Sequence, residues 1–169
     1  VNQVLVLQMH YYQSSPEAAE LIDTSGYALK TATSVKTELE VLPLGSFSFR
    51  IPADDPAYVF EDVWRPDRDL RVHGVFPHMH VLGASYSMQV EDQKNGCMVE
   101  SSTYAFDNQL TYLFTEPMDI KAGEQIHWQC TWNNSTSNPD RIYEQPRETF
   151  YGERTDEEMC FFFTIVEKR

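Results

Sequence analysis

Residues 70–90 read LRVHGVFPHMHVLGASYSMQV, and this stretch decides the fold class of the chain. The part up to His80 is a long extended run, and from Ala84 to Val90 apolar and polar residues alternate. Alternation is typical of a half-buried strand, because successive side chains of a strand point to opposite faces. We therefore predict two strands here rather than a helix.

Similar segments occur outward along the chain in both directions. Further strands are predicted at residues 4–11, 38–51 (broken at Pro43-Leu44-Gly45), 110–115, 124–132 and 159–166. Turn residues separate them at Lys94-Asn95-Gly96 and Lys121-Ala122-Gly123. Helical periodicity is weak, and only residues 16–22 are predicted to form a short helical turn. Many short strands between regularly spaced turns indicate an all-β, antiparallel sandwich.

The composition is that of a folded globular protein. The 169 residues fit one domain, 1–169, with a substantial core, and 41% of them are hydrophobic and 13% aromatic. The formal net charge of −13 argues against nucleic acid and anionic membranes as partners. No apolar stretch is long enough to span a bilayer, so no membrane span is expected. No signal peptide is present at Val1, which we interpret as a mature form or a fragment.

Three cysteines, Cys97, Cys130 and Cys160, leave at least one thiol unpaired. A single disulfide would place the protein in an oxidising compartment, whereas three reduced thiols would suit the cytosol. The residues alone leave both interpretations open.

The strongest chemical signal is His78-Met79-His80. Residues i and i+2 of an extended strand point to the same side, so both imidazoles can bind one metal ion. A thioether from Met159 would complete a site of two imidazoles and one soft sulfur, a combination that suits copper. The alternative is a pair of histidines on an ordinary strand without a metal.

Several motifs occur together and in a fixed order. They are VLVLQMHY at 4–11, HMH at 78–80 followed by Leu82-Gly83, CTWNNST at 130–136, Gly152, and DEEMC at 156–160. With this order and spacing, the chain resembles the catalytic second domain of the copper type II, ascorbate-dependent monooxygenases over nearly its whole length. That family includes peptidylglycine α-hydroxylating monooxygenase and dopamine β-monooxygenase. The resemblance implies a jelly-roll-like β-sandwich and hydroxylation of a substrate C–H bond with O2 and ascorbate.

The resemblance also implies the roles of particular residues. His78, His80 and Met159 match the catalytic copper ligands. Cys130 and Cys160 match a family disulfide, which leaves Cys97 unpaired and implies a secreted or periplasmic protein.

The family's second copper site is incomplete in this sequence. His10 matches one of its three histidines, and the family's other two form an adjacent pair in a preceding domain. No two histidines are adjacent here. We therefore interpret residues 1–12 as the candidate end of a preceding domain and expect that domain, or a partner chain, to supply the second site. His73 and His127 match no ligand and are predicted to be structural or surface residues.

The predicted substrate pocket is apolar. Phe161 and Phe163 share a strand face with Met159, although core packing would also explain them. Phe76 stands where the peptide-hydroxylating enzymes have an arginine that binds the peptide carboxylate, and phenylalanine cannot replace an arginine in that role. A relatively apolar small-molecule or peptide-like substrate is therefore predicted. The long polar segment 133–158 is interpreted as a functional loop bordering the metal or as a solvated surface loop.

Three classes of function remain open at this point. The leading hypothesis is a copper-dependent monooxygenase domain. The main alternative is a non-catalytic copper-binding or copper-delivery module, which the missing second-site histidines favour. A third is an adhesion or assembly domain that uses the sandwich only as a scaffold.

Overall fold

The computed structural model describes residues 6, 7, 9 and 22–168 of a chain that divides into two compact units, 1–35 and 36–169. The described residues of the first unit contain no helix or strand, and the Ser25 N–H donates to Asp23 Oδ1 in a turn. The predicted strand at 4–11 and helical turn at 16–22 fall mostly outside the described residues. His10 lies outside them as well.

The described part of the second unit consists of ten strands and no helix. The strands are β1 (Leu39–Gly45), β2 (Arg50–Ile51), β3 (Tyr58–Trp64), β4 (Leu70–His78), β5 (Gly83–Val90), β6 (Cys97–Ser101), β7 (Tyr112–Ile120), β8 (Ile126–Trp132), β9 (Thr149–Phe150) and β10 (Phe161–Glu167). They form two four-stranded sheets with the orders β1-β10-β4-β7 and β3-β8-β5-β6, and β2 pairs with β9. Every pair of these strands is antiparallel. The predicted all-β, antiparallel sandwich is confirmed, and the jelly-roll connectivity stays a prediction.

Alternating apolar residues from both sheets form the core. Val72 and Phe162 of the first sheet, and Met88, Ile126 and Trp132 of the second, are fully buried in one hydrophobic cluster. The burial alternates along the strands in the way that a sheet with one face packed and one face exposed requires. The core therefore fixes which side chains of β4 and β10 point away from it, and those include His78, Phe76 and Phe163.

Two details of the predicted strands are wrong. Residues Pro43-Leu44-Gly45 do not break the first strand; they belong to β1 and pair with residues 163 to 161 of β10. Proline is tolerated there because β1 is an edge strand, where a missing N–H need not cost a ladder hydrogen bond. The break comes instead at residues 46–49. Strands β3, β6 and β9 were not predicted.

A disulfide joins the two sheets near the ends of their strands. Cys130 of β8 and Cys160, the residue before β10, are fully buried and covalently linked, with their Cα atoms 6.0 Å apart. Cys97 is free and exposed. The predicted pairing is thereby confirmed. Among the described residues, no helix is long and apolar enough to cross a membrane.

Candidate metal centre

The two histidines of the His-x-His motif lie side by side. β4 ends at His78, and His80 follows in the connection to β5. Their ring centroids are 5.1 Å apart and the ring planes are nearly perpendicular, at 81°. His78 is half-buried, whereas His80 is only 4% exposed.

Each imidazole has one nitrogen engaged by the protein. His78 Nδ1 lies 2.7 Å from the side-chain oxygen of Gln109, and His80 Nδ1 lies 2.9 Å from the backbone oxygen of Glu157. A carbonyl oxygen only accepts hydrogen bonds, so each Nδ1 carries the proton and donates it. In a neutral imidazole the other nitrogen, Nε2, then has a free lone pair. This is the usual arrangement of metal-binding histidines, whose second nitrogen is held by an acceptor.

The surroundings of both imidazoles favour the neutral form. Burial lowers the pKa of His78, against the hydrogen bond with Gln109. Burial also lowers the pKa of His80, against its hydrogen bond to Glu157 and with a further contribution from the neighbouring His78. A neutral imidazole is the form that binds a metal ion, so the environment favours the ligating state.

The segment that contains Met159 runs beside His80. In the β4–β10 pairing His78 lies opposite Phe161, and the chain before Phe161 continues past the end of β4. There the Glu157 backbone oxygen contacts the His80 ring, and Glu158 accepts a hydrogen bond from the backbone N–H of His80. Met159, half-buried, is the next residue. The structure therefore brings the segments of the three predicted ligands to the same end of the first sheet.

Glu158 is the fully buried carboxylate that joins these segments. Its oxygens accept hydrogen bonds from the backbone N–H groups of His80 at 2.9 Å, Leu82 at 2.7 Å and Met159 at 3.3 Å, and from Trp132 Nε1 at 2.9 Å. Burial raises the pKa of Glu158 to about 7, against the lowering effect of these hydrogen bonds. Its role was not predicted from the sequence, although a charged residue directly before an apolar strand was a usable signal.

Tyr104 holds the residue between the two histidines. Its hydroxyl donates to the Met79 backbone oxygen at 2.5 Å and accepts from the Met79 N–H at 3.1 Å. Met79 itself is 1% exposed. Tyr104 and Glu158 together therefore fix the backbone of the motif from residue 79 to residue 82, and Tyr104 too was missed by sequence reasoning.

Aromatic rings flank His78 on the outer face of the sheet. Phe76 stacks on His78 with centroids 6.1 Å apart, and Phe163 lies 5.9 Å from Phe76 and 6.2 Å from His78. Phe161 stacks on Phe163 at 5.9 Å and is 8% exposed, covered in part by Phe47. The three predicted pocket residues thus form one aromatic surface beside the histidine pair.

The remaining described histidines have carboxylate partners away from this pair. His73 Nε2 lies 2.9 Å from Glu167, and His127 Nε2 lies 3.4 Å from Glu61. Within residues 6, 7, 9 and 22–168, no three His, Cys, Asp or Glu side chains are arranged to hold a metal ion. Two imidazoles and the thioether of Met159 in the neighbouring segment are donor types that suit copper.

The antiparallel sandwich places two histidines with free Nε2 atoms side by side at the end of one strand, an arrangement that is able to bind a metal ion. Residues 61–166 match the family described as copper type II ascorbate-dependent monooxygenase, C-terminal domain. The chain belongs to this family. No curated protein matches the chain.

Proposed function

We propose that the chain is a copper-dependent monooxygenase domain that hydroxylates a C–H bond of a relatively apolar substrate, with O2 and ascorbate as co-substrates. His78 and His80 would hold copper through their Nε2 atoms, and Met159 would add its thioether. Copper bound there would supply the one-electron chemistry that O2 activation requires. The family description, which names copper and ascorbate, supports both cofactors.

One observation carries this proposal. Two adjacent imidazoles both present Nδ1 to carbonyl oxygens, at 2.7 and 2.9 Å, and both are shifted towards the neutral form. The pattern leaves two Nε2 lone pairs on rings whose centroids are 5.1 Å apart.

The aromatic surface supports an apolar substrate. Phe76 and Phe163 flank His78 and Phe161 stacks on Phe163, and none of the three can bind a carboxylate. Arg71, the arginine on the same strand, is in ion pairs with Asp119 and Glu167. A substrate that approaches His78 therefore meets aromatic rings, which bind apolar groups by area burial and stacking.

The ligand assignment is tested by metal analysis and oxygen uptake. The purified chain is expected to bind one copper, and ascorbate-dependent O2 consumption should rise with apolar candidate substrates. Met159→Ile should keep the fold and abolish O2 consumption, because the thioether is lost while the side chain stays apolar and of similar volume. Met118→Ile, at a half-buried methionine of β7, is the matched control and should behave as the parent protein. Copper retention with unchanged activity in Met159→Ile would exclude Met159 as a ligand.

A non-catalytic copper-binding or copper-delivery module is the second candidate. It is favoured by the absence of adjacent histidines in the sequence, since the family's second copper needs such a pair and only His10 matches it. For catalysis we propose that a preceding domain, of which residues 1–12 would be the end, or a partner chain supplies that site. Copper binding without substrate-dependent O2 consumption, even in the presence of such a partner, would support the copper-binding or copper-delivery module.

We further infer that the protein is secreted or periplasmic. The disulfide between Cys130 and Cys160 supports this, because such bonds persist in oxidising compartments. Fractionation of the source cells with an antibody to the chain tests it, and a cytosolic location would contradict it.

A further inference from the structure

We propose that Gln109 is a positioning residue that sets the tautomer and orientation of His78 for metal binding. Only the predicted effect of Gln109 on metal affinity rests on the proposed copper site. Gln109 lies in the irregular segment between β6 and β7, and residues 104–109 of that segment are here called the 104–109 loop.

The amide of Gln109 has a fixed direction. Its Nε2 donates to the backbone oxygen of Phe106 at 2.9 Å, an atom that can only accept. Its Oε1 therefore faces His78 Nδ1, at 2.7 Å. Because this oxygen accepts, His78 must carry its proton on Nδ1, and Nε2 is left free. A side chain that is not itself a metal ligand thus decides which His78 nitrogen can coordinate.

Hydrogen bonds anchor the 104–109 loop, and they thereby fix the orientation of the Gln109 amide. The Tyr104 N–H donates to the Ala84 oxygen at 2.8 Å, and its hydroxyl contacts both backbone polar atoms of Met79. The Asn108 N–H donates to the Ala105 oxygen at 3.0 Å. The ring of Phe106 meets the His80 ring edge-on, with centroids 6.0 Å apart. One loop therefore contacts both imidazoles and the residue between them.

The role of Gln109 can be tested because the two histidines have different kinds of hydrogen-bond partner. His80 Nδ1 donates to a backbone oxygen, which no substitution removes. His78 Nδ1 instead faces a side chain, which a substitution does remove. A cavity of about 240 Å³ borders Gln109 on the side of Tyr86 and Tyr112, so leucine can replace glutamine without overpacking.

The experiment compares three substitutions with the parent chain. Gln109→Leu removes the acceptor, Gln109→Glu keeps an acceptor of the same reach, and Gln93→Leu removes an amide that bonds Glu124 at the far end of β5. The copper dissociation constant is measured by competition with a chelator. The tautomers of the metal-free protein are read from ¹H–¹⁵N spectra of the imidazoles, a measurement that requires no copper.

We expect Gln109→Leu to bind copper about 10–100-fold more weakly, the usual effect of removing a hydrogen-bond partner of a ligating histidine. Its metal-free His78 should also show the Nε2–H tautomer. Gln109→Glu should retain both the affinity and the Nδ1–H tautomer, and Gln93→Leu should match the parent. If Gln109→Leu does not fold, Gln109→Ala removes the same acceptor and replaces it in the comparison.

The experiment distinguishes a failure of the role of Gln109 from a failure of the proposed function. An unchanged His78 tautomer in the folded Leu or Ala variant, with unchanged copper affinity, would overturn the role of Gln109 and leave the copper site intact. A parent chain that binds no copper would overturn the proposed function. The tautomer spectra would in that case still confirm or refute the control that Gln109 exerts on His78.

Discussion

Tyr104→Phe is the sharpest test of how the His-x-His motif is held, because it removes one oxygen atom and leaves the ring. That oxygen bonds both the N–H and the carbonyl of Met79, a residue that is 1% exposed. A buried polar group without its partner costs about 1–3 kcal/mol, so loss of both bonds should lower the free energy of unfolding by about 2–4 kcal/mol. For a domain of this size that corresponds to a fall of about 10 °C in the melting temperature.

The measurement is equilibrium unfolding in urea followed by tryptophan fluorescence. Tyr58→Phe is the control, since Tyr58 is half-buried and stacks on Trp132 at 6.0 Å with no described hydrogen bond through its hydroxyl. The control should change the unfolding free energy by less than about 0.5 kcal/mol. Equal effects of the two substitutions would refute the reasoning, because they would show that the Met79 backbone finds other partners. A folded Tyr104→Phe protein should also bind copper more weakly, as both histidines are neighbours of Met79.

Three further outcomes are expected. Thiol titration of the denatured, unreduced protein should find one free cysteine per chain. The Cys130–Cys160 bond closes a loop of 30 residues, and its removal should lower the free energy of unfolding by about 3–4 kcal/mol. Compared with a variant in which His78 and His80 are both replaced by Asn, the metal-free protein should lose more stability as the pH falls below 6.5, because lowered pKa values mean that the two histidines take up protons more readily when unfolded; the opposite contribution of Glu158, whose pKa is raised to about 7, is common to both proteins. Glu158→Leu should abolish stable folding, since it leaves four N–H donors without their acceptor; a variant with parental stability would contradict that role.

The sequence was sufficient for the fold class and for the parts of the site that depend on local pattern. Alternation predicted β4, β5, β8 and β10 within two residues at most of their bounds, because burial on one face imposes a period of two. The disulfide followed from the family resemblance, and the structure contains it. Strand β3 was missed even though it alternates, because its outward face carries apolar residues such as Val59 and Val63, which obscure the polar positions.

The residues that support the site could not be predicted from the sequence. Gln109 is 31 residues from His78, and Glu158 is 78 residues from His80, so both contacts depend on the topology of the sheets. Gln109 belongs to no motif, and Glu158 belongs to the DEEMC motif, in which only Met159 was predicted to bind the metal. Tyr104 is a common residue type in a loop without periodicity, and its function arises only because β5 and β6 place that loop beside Met79.

Under the proposed function, the supports of the two histidines predict from which side a substrate would approach. His80 is 4% exposed and is held by the backbone of Glu157 and the carboxylate of Glu158, so its surroundings belong to the same segment as Met159. His78 is half-buried, is held by a loop side chain and is flanked by aromatic rings on the outer face of the sheet. A substrate that reaches the histidine pair from that face meets His78 first. Substitutions of Phe76 should therefore alter substrate preference at constant copper affinity, whereas substitutions around His80 should alter copper binding itself.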